Sequence, residues 1–359
     1  MSVNHIYHTW LERIRQLRPK ERITRRRNFA WIVAGILMSR SVHLSRIAEK
    51  IPGIATTVSK ARRVSRFLDN RAIRVREWYE PVARGLLEEV VTQGLEVHLL
   101  TDGTKVGFGH QLLMVALQYR RRALPIAWTW VSSARGHSSA QKQRALWGYI
   151  RGLMPAGAQV VVAGDSEFGS VAVLRLLEQW GWGYVMRQKG DTRVKLPDRQ
   201  VWMRFDSLAQ RGAPPLWFPN ALLTRSHGHP TRLIAWWKAG EPEPWLLATN
   251  LPTLREGLRI YQRRMWIEEM FGDFKKHGFD LESSHLRHFL RLSRLTLLVA
   301  FLYVWLVALG SQVIKRGQRR LVDRADRRDL SIFRIGLRIV ERWLTNGNPL
   351  VIPLVPYFS

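Results

Sequence analysis

The sequence contains no cysteine. Disulfides and thiolate-ligated zinc are therefore excluded, and a reducing cytosol is permitted. Acidic residues are scarce: 28 Asp and Glu stand against 57 Lys and Arg, a formal net charge of +29 over 359 residues. An excess of that size points to a polyanionic partner, first of all nucleic acid. No internal repeat is evident, and the N-terminal MSVNHIYHTW lacks a basic segment followed by an apolar one, so no signal peptide is expected. Long apolar runs are few. Leu295 to Ile314 is uncharged for twenty residues, long enough to cross a bilayer. Thr, Tyr, Gly, Ser and Gln interrupt it, and an α/β core needs covering helices, so a buried core helix is expected and no membrane partner.

What is present is a globular composition, 46% apolar, with sixteen tryptophans. Most of these belong in a core, although aromatics among cations also suit stacking on unpaired bases. Residues 1–94 read as helical. Within them a helix over HLSRIAEK, a Pro52-Gly53 break and a second helix from Thr56 or Thr57 carrying Lys60, Arg62, Arg63 and Arg66 resemble a helix-turn-helix. The alternative is a helical hairpin with a basic face.

At Val97 the texture changes. VHLLTDG, LLMVALQY and LPIAWTWV read as three strands, Ser138 to Met154 as a serine-capped helix, QVVVAG as a buried strand, SVAVLRLLEQW as a helix and WGYVMRQ as a strand. Strand, strand, strand, helix, strand, helix, strand is the order of a ribonuclease-H-like α/β core. From about 190 to 250, short strand-like pieces alternate with Pro and Gly, a β-rich insertion. The expected organisation is an N-terminal helical DNA-binding domain (1–94), a catalytic domain with its insertion (95–310) and a basic, helical C-terminal region (311–359).

The stretch Tyr261 to Lys275, YQRRMWIEEMFGDFK, organises the rest. On one helix, Tyr261, Arg264, Glu268 and Lys275 would point the same way, beside an apolar stripe of Ile260, Ile267, Phe271 and Phe274. A carboxylate suits a divalent metal, and the cations beside it suit phosphates. An ordinary amphipathic helix with solvated charge pairs would look the same. Two further acids stand at strand ends, Asp102 and Asp165, where a turn or capping role is the plain alternative. In a ribonuclease-H-like sheet these strands are neighbours, so the two aspartates meet and Glu268 arrives from the later helix. Three carboxylates holding two divalent ions, Mg²⁺ or Mn²⁺, make a phosphoryl-transfer site. Glu269 points about 100° away from Glu268 and is set aside as a ligand. The pairs His227 and His229, and His285 and His288, lack a further ligand set and are not read as zinc sites.

Tyr261, two residues, Arg264, three residues, Glu268, six residues, Lys275 reproduces the Y-R-E-K signature of insertion-sequence family four DDE transposases. LLTDGTKVG around Asp102 is similar to that family's first acidic motif. VVVAGDSEFGS around Asp165 resembles its second, with Ser166 and Glu167 in place of the usual Arg-Gly pair. The resemblance implies cut-and-paste transposition: 3′ nicking, a hairpin intermediate, its reopening and strand transfer. Asp102, Asp165 and Glu268 would bind two Mg²⁺, and Tyr261, Arg264 and Lys275 would hold phosphates beside a flipped nucleotide. Trp245 is the candidate to stack on that base; a buried strand tryptophan is its alternative. The KARRVSRFLDN segment resembles the family's N-terminal DNA-contact region. The implied partners are double-stranded DNA, as terminal inverted repeats and target, and a second copy of the chain in the synaptic complex. The implied location is the bacterial cytoplasm, at the nucleoid. The competing reading is a non-catalytic DNA-binding regulator of transposase descent.

Overall fold

The computed structural model describes residues 2–107, 109–132, 140–324 and 326–358. Five helices come first: α1 (Ser2–Leu17), α2 (Ile23–Ser39), α3 (Leu44–Lys50), α4 (Thr57–Asp69) and α5 (Val75–Thr92). The start of α4 follows from local chemistry. Thr56 is extended and its hydroxyl accepts from the Ser59 amide, satisfying one of the orphan donors of the first turn. Val64, Phe67 and Leu68 bury one face of α4, while Arg62, Arg63 and Arg66 stay exposed.

The sheet follows. Strands β1 (Val97–Val106), β2 (His110–Tyr119) and β3 (Arg122–Ser132) form an antiparallel meander; then come α6 (Ala140–Arg151), β4 (Val160–Gly164), α7 (Val171–Gln179) and β5 (Gly183–Arg187). The serine expected to cap α6 lies outside the described residues. β4 runs parallel to both β1 and β5 and is buried along its whole length, which is why its sequence, VVVAG, is continuously apolar rather than alternating. Strands β6 (Arg193–Lys195), β7 (Met203–Arg204), β8 (Leu216–Leu223), β9 (His229–Trp236) and β10 (Trp245–Thr249) extend this same sheet. The ten strands are ordered β3-β2-β1-β4-β5-β10-β9-β8-β6-β7, with β10 antiparallel to β5. The β-rich stretch is therefore hydrogen-bonded to the core strands rather than set apart from them.

Helices α8 (Leu254–Gln262), α9 (Met265–Phe274), α10 (Phe289–Lys315) and α11 (Ile332–Thr345) complete the chain. The apolar run Leu295 to Ile314 lies in α10. By length and composition α10 could cross a membrane, yet 89% of its most apolar window is buried against the rest of the protein. It packs against α11 so closely that a Cβ on Gly336 would meet the Leu306 carbonyl, and one on Gly310 the Ile332 carbonyl. Two glycines are thus what lets these backbones touch. The basic tail from Lys315 to Arg342, expected to be helical, is so only in part: residues 322–324 and 326–331 are irregular, and α11 begins at Ile332, capped by Ser331.

Candidate active site

The parallel ladder between β1 and β4 ends at the pair Thr101 and Gly164. Asp102 and Asp165 are the next residue on each strand, so both leave the ladder at the same level. Gly164 permits this approach, because a Cβ there would lie 2.6 Å from Thr101 Cγ2 and 2.7 Å from Met186 Sδ. Asp102 is not at the end of its strand as the sequence suggests; β1 continues antiparallel to β2 as far as Val106. Neither aspartate serves as a helix cap. Asp165 makes no capping bond, and its Oδ1 is buried without a hydrogen-bond partner. Asp102 accepts from the Gly103 amide at 2.7 Å and from Arg264 Nη1 at 2.8 Å.

Arg264 is the centre of the arrangement. It is buried, and its second nitrogen donates to Glu268 Oε1 at 2.8 Å, so one guanidinium bridges a sheet aspartate and a helix glutamate. The helix expected over the whole Tyr261–Lys275 stretch is broken here. α8 ends at Gln262 and α9 starts at Met265, joined by i to i−3 bonds at Arg263 and Arg264. The break leaves Tyr261 and Arg264 adjacent, with the guanidinium 5.8 Å from the Tyr261 ring. Lys275 departs from the expected helix at the other end of α9. Lys275 caps α9 with a non-helical ψ of −131°, donates to the Lys105 carbonyl at 2.6 Å and pairs with Glu282 at 3.1 Å. The apolar stripe behaves as its pattern predicts: Ile260, Ile267, Phe271 and Phe274 are all buried. Trp245, half-buried at the start of β10, meets Tyr261 edge-on at 5.0 Å. Tyr261 itself is buried, so its phenol is not presented to solvent as the helical pattern suggested.

Burial pushes the Asp102 carboxyl up to about 7; Arg264 and the Gly103 amide oppose that shift, while Asp165 and Glu268 add to it. Burial works against the charge on Arg264, but Asp102, Tyr261, Glu268 and Asp165 outweigh it and hold the guanidinium firmly charged. Three carboxylates thus face one guanidinium, an excess of negative charge in a poorly solvated place. The donors are all hard oxygens, and the Asp165 oxygen has no other partner, which fits a divalent cation. Among the described residues, no three His, Cys, Asp or Glu side chains already converge as a metal cage.

Three residues around the site carried no sequence signal of their own. Gln111, on β2, donates to Glu167 Oε2 at 2.7 Å, and Gln143, on α6, donates to the Glu167 carbonyl at 2.9 Å. Gly103 makes room for that contact, since its Cβ would lie 2.4 Å from Gln111 Nε2. The departure at Ser166 and Glu167 therefore comes with partners of its own. The basic residues of α4 belong to a different part of the molecule. Lys60 donates to the Gly53 carbonyl and Arg63 to Asn28, while Arg62 and Arg66 face outward on a helix resting on α2, α3 and α10.

The family model described as the transposase DDE domain matches residues 98–305, more than half of the chain, from the start of β1 into α10. The chain belongs to that family. It is a DDE transposase, and enzymes of this kind cleave DNA and generally use divalent metal ions. None of the curated proteins matches the transposase significantly. Among solved structures, a piggyBac transposase in a synaptic complex with hairpin DNA is similar over 100% of this chain and 84% of its own, at 11% identity and a TM-score of 0.38.

Proposed function

We propose that this transposase is an insertion-sequence enzyme of the family-four type, moving its element by cut and paste. The observation that carries the reading is the joining of Asp102 and Glu268 through Arg264, with Asp165 one strand away, inside the matched domain. The order β3-β2-β1-β4-β5, with an antiparallel meander followed by two parallel neighbours, supports a ribonuclease-H-like core. On this reading residues 1–94 contact DNA, 95–310 carry the chemistry and 311–359 form the C-terminal region.

Asp102, Asp165 and Glu268 would hold two Mg²⁺, with Mn²⁺ as a substitute. Such ions supply activation of the attacking oxygen and stabilisation of the leaving one. Arg264 orients Asp102 and Glu268 and keeps their repulsion in check until DNA arrives. Water cuts at the transposon end. The freed 3′-OH attacks the opposite strand to give a hairpin, which is reopened, and the 3′-OH then attacks target DNA. A tight hairpin strains its terminal bases, and flipping one out relieves the strain. Trp245, with Tyr261 behind it, offers the aromatic surface for that base, and Arg264 and Lys275 the cations for its phosphates. Two copies of the chain would pair two ends at the nucleoid in the cytoplasm.

The test is cleavage of a labelled duplex carrying the element's terminal repeat, with Mg²⁺ or Mn²⁺, by wild type and Glu268→Gln. Metal-dependent 3′ nicking by the wild type alone supports the reading, and the product lengths report whether a hairpin forms. Sequence-specific binding by both proteins without cleavage by either would replace it with the non-catalytic DNA-binding regulator.

A further inference from the structure

The β2–β3 hairpin closes through a two-residue loop, Arg120-Arg121, between the paired residues Tyr119 and Arg122. Both loop residues hold positive φ, 37° and 62°. Two-residue hairpin loops of this kind favour Asn-Gly, because a side chain with a Cβ is strained in the left-handed region. Two arginines are therefore the wrong residues for the turn. Strain of this kind is found where the side chains that cause it serve a function.

These arginines line a cavity of about 660 Å³ whose other charged residues are Arg122, Arg319 and Arg328 and the acids Glu268, Glu269 and Asp329, five arginines against three acids. The hairpin forms one wall, and α9 and the irregular segment before α11 form the others. Some of this charge is already engaged: Arg120 lies 5.7 Å from the Tyr119 ring, Arg122 pairs with Asp273 and Glu269, and Arg319 with Asp323. Arg121 and Arg328 are exposed and have no carboxylate partner among the described residues. The cleft therefore keeps an uncompensated positive charge beside a candidate catalytic carboxylate.

We propose that this cleft binds the phosphodiester backbone of a DNA strand leading away from the carboxylates, with Arg120 and Arg121 as its phosphate contacts. The proposal rests on the transposase reading above and deepens it by naming a surface. Arginine's fork matches phosphate oxygens, and the turn holds two such forks on a rigid hairpin rather than on a loose loop. On this reading the turn bears its backbone strain for the charge it displays, not for the hairpin it closes.

The test replaces the loop with the residues the turn prefers, Arg120→Asn with Arg121→Gly. This double variant should melt at or above the wild-type temperature, so a loss of binding cannot be ascribed to unfolding. Affinity for a short fluorescent duplex is measured across a salt series. Removing two phosphate contacts should lower the slope of log affinity against log salt by about 2. Arg121→Gln, which keeps the backbone demand and removes one charge, should lower it by about 1. A wild-type protein that binds duplex with a steep slope, alongside variants with the same slope and affinity, overturns the cleft and leaves the transposase reading intact. A wild-type protein with no salt-dependent duplex binding overturns both.

Discussion

Helix α9 carries two arginine-centred clusters on neighbouring turns, built alike and differing in one respect. In the first, Arg264 bridges Asp102 and Glu268. In the second, Arg122 bridges Asp273 and Glu269. Each joins a strand to the helix through one guanidinium and two carboxylates. Among the described residues the second pairs its arginine with no further acid; its aspartate is almost wholly buried, with 3% of the side chain exposed, while its glutamate is 57% exposed. The first has Asp165 beside it, with an unpartnered oxygen, and a glutamate left 44% exposed. The second cluster is nearly balanced in charge, as a structural ion pair is. The first is over-supplied with negative charge, as a candidate cation site is expected to be. On the proposed reading, a fourth charge, rather than the ion pair or its exposure, separates the candidate site from a structural pair.

The comparison breaks first under mutation of the two glutamates. Glu268→Gln should lower metal-dependent nicking on the order of 10⁴-fold, as loss of one member of a catalytic unit does. Its neighbour Glu269→Gln should leave nicking within about twofold; similar losses in both would mean that the clusters do not differ in function. Arg122→Ala comes next. It leaves Asp273 buried and unpaired, and urea unfolding should record a loss of about 3–5 kcal/mol.

The pH dependence of stability sharpens the same contrast. Burial raises the Asp273 carboxyl from 3.8 to about 6, against the opposing pull of Arg122. An acid whose pKa is raised by folding holds its proton more tightly when folded. Its contribution is most favourable below pH 3.8 and declines as pH climbs to about 6. Wild type should therefore lose roughly 3 kcal/mol relative to Asp273→Asn over that window, read from paired melts. The smallest effect on stability is expected at α4, whose arginines are exposed. Arg62→Ala with Arg66→Ala should change it by less than about 0.5 kcal/mol, while the salt slope of duplex binding falls by about 2. An unchanged slope would remove α4 from the DNA surface.

Much of this was legible from residue order, wherever the cause is local. The α4 start lies at Thr56 because a hydroxyl capping its own helix needs no distant partner. The strand runs from Val97 to Arg187 read correctly because their apolar pattern and turns are set within a few residues. The break between α8 and α9 was hidden. Arg263 and Arg264 are good helix formers, and what accompanies the bend is a contact between Arg264 and a strand 162 positions earlier. Lys275 left its expected stripe alongside an equally remote contact: its ammonium donates to the Lys105 carbonyl, 170 positions earlier. Gln111 had no signal at all, since its role arises only when β2 lies beside β1. Charge type and spacing are written in the chain; which charges share a guanidinium is written in the sheet.

The pairing of β10 with β5 has a consequence for how this protein could be altered. The chain leaves the core after Arg187 and returns at Trp245 on the adjacent antiparallel strand, with Leu247 opposite Arg187. Everything between is, in topology, one very long hairpin loop. Loop length is thermodynamically lenient, each doubling costing only about 0.6 kcal/mol. Exchange of its outer strands, β6 to β8, is therefore expected to disturb the core less than exchange of β9, which pairs with β10 and sets Ile234 against Gly257 of α8.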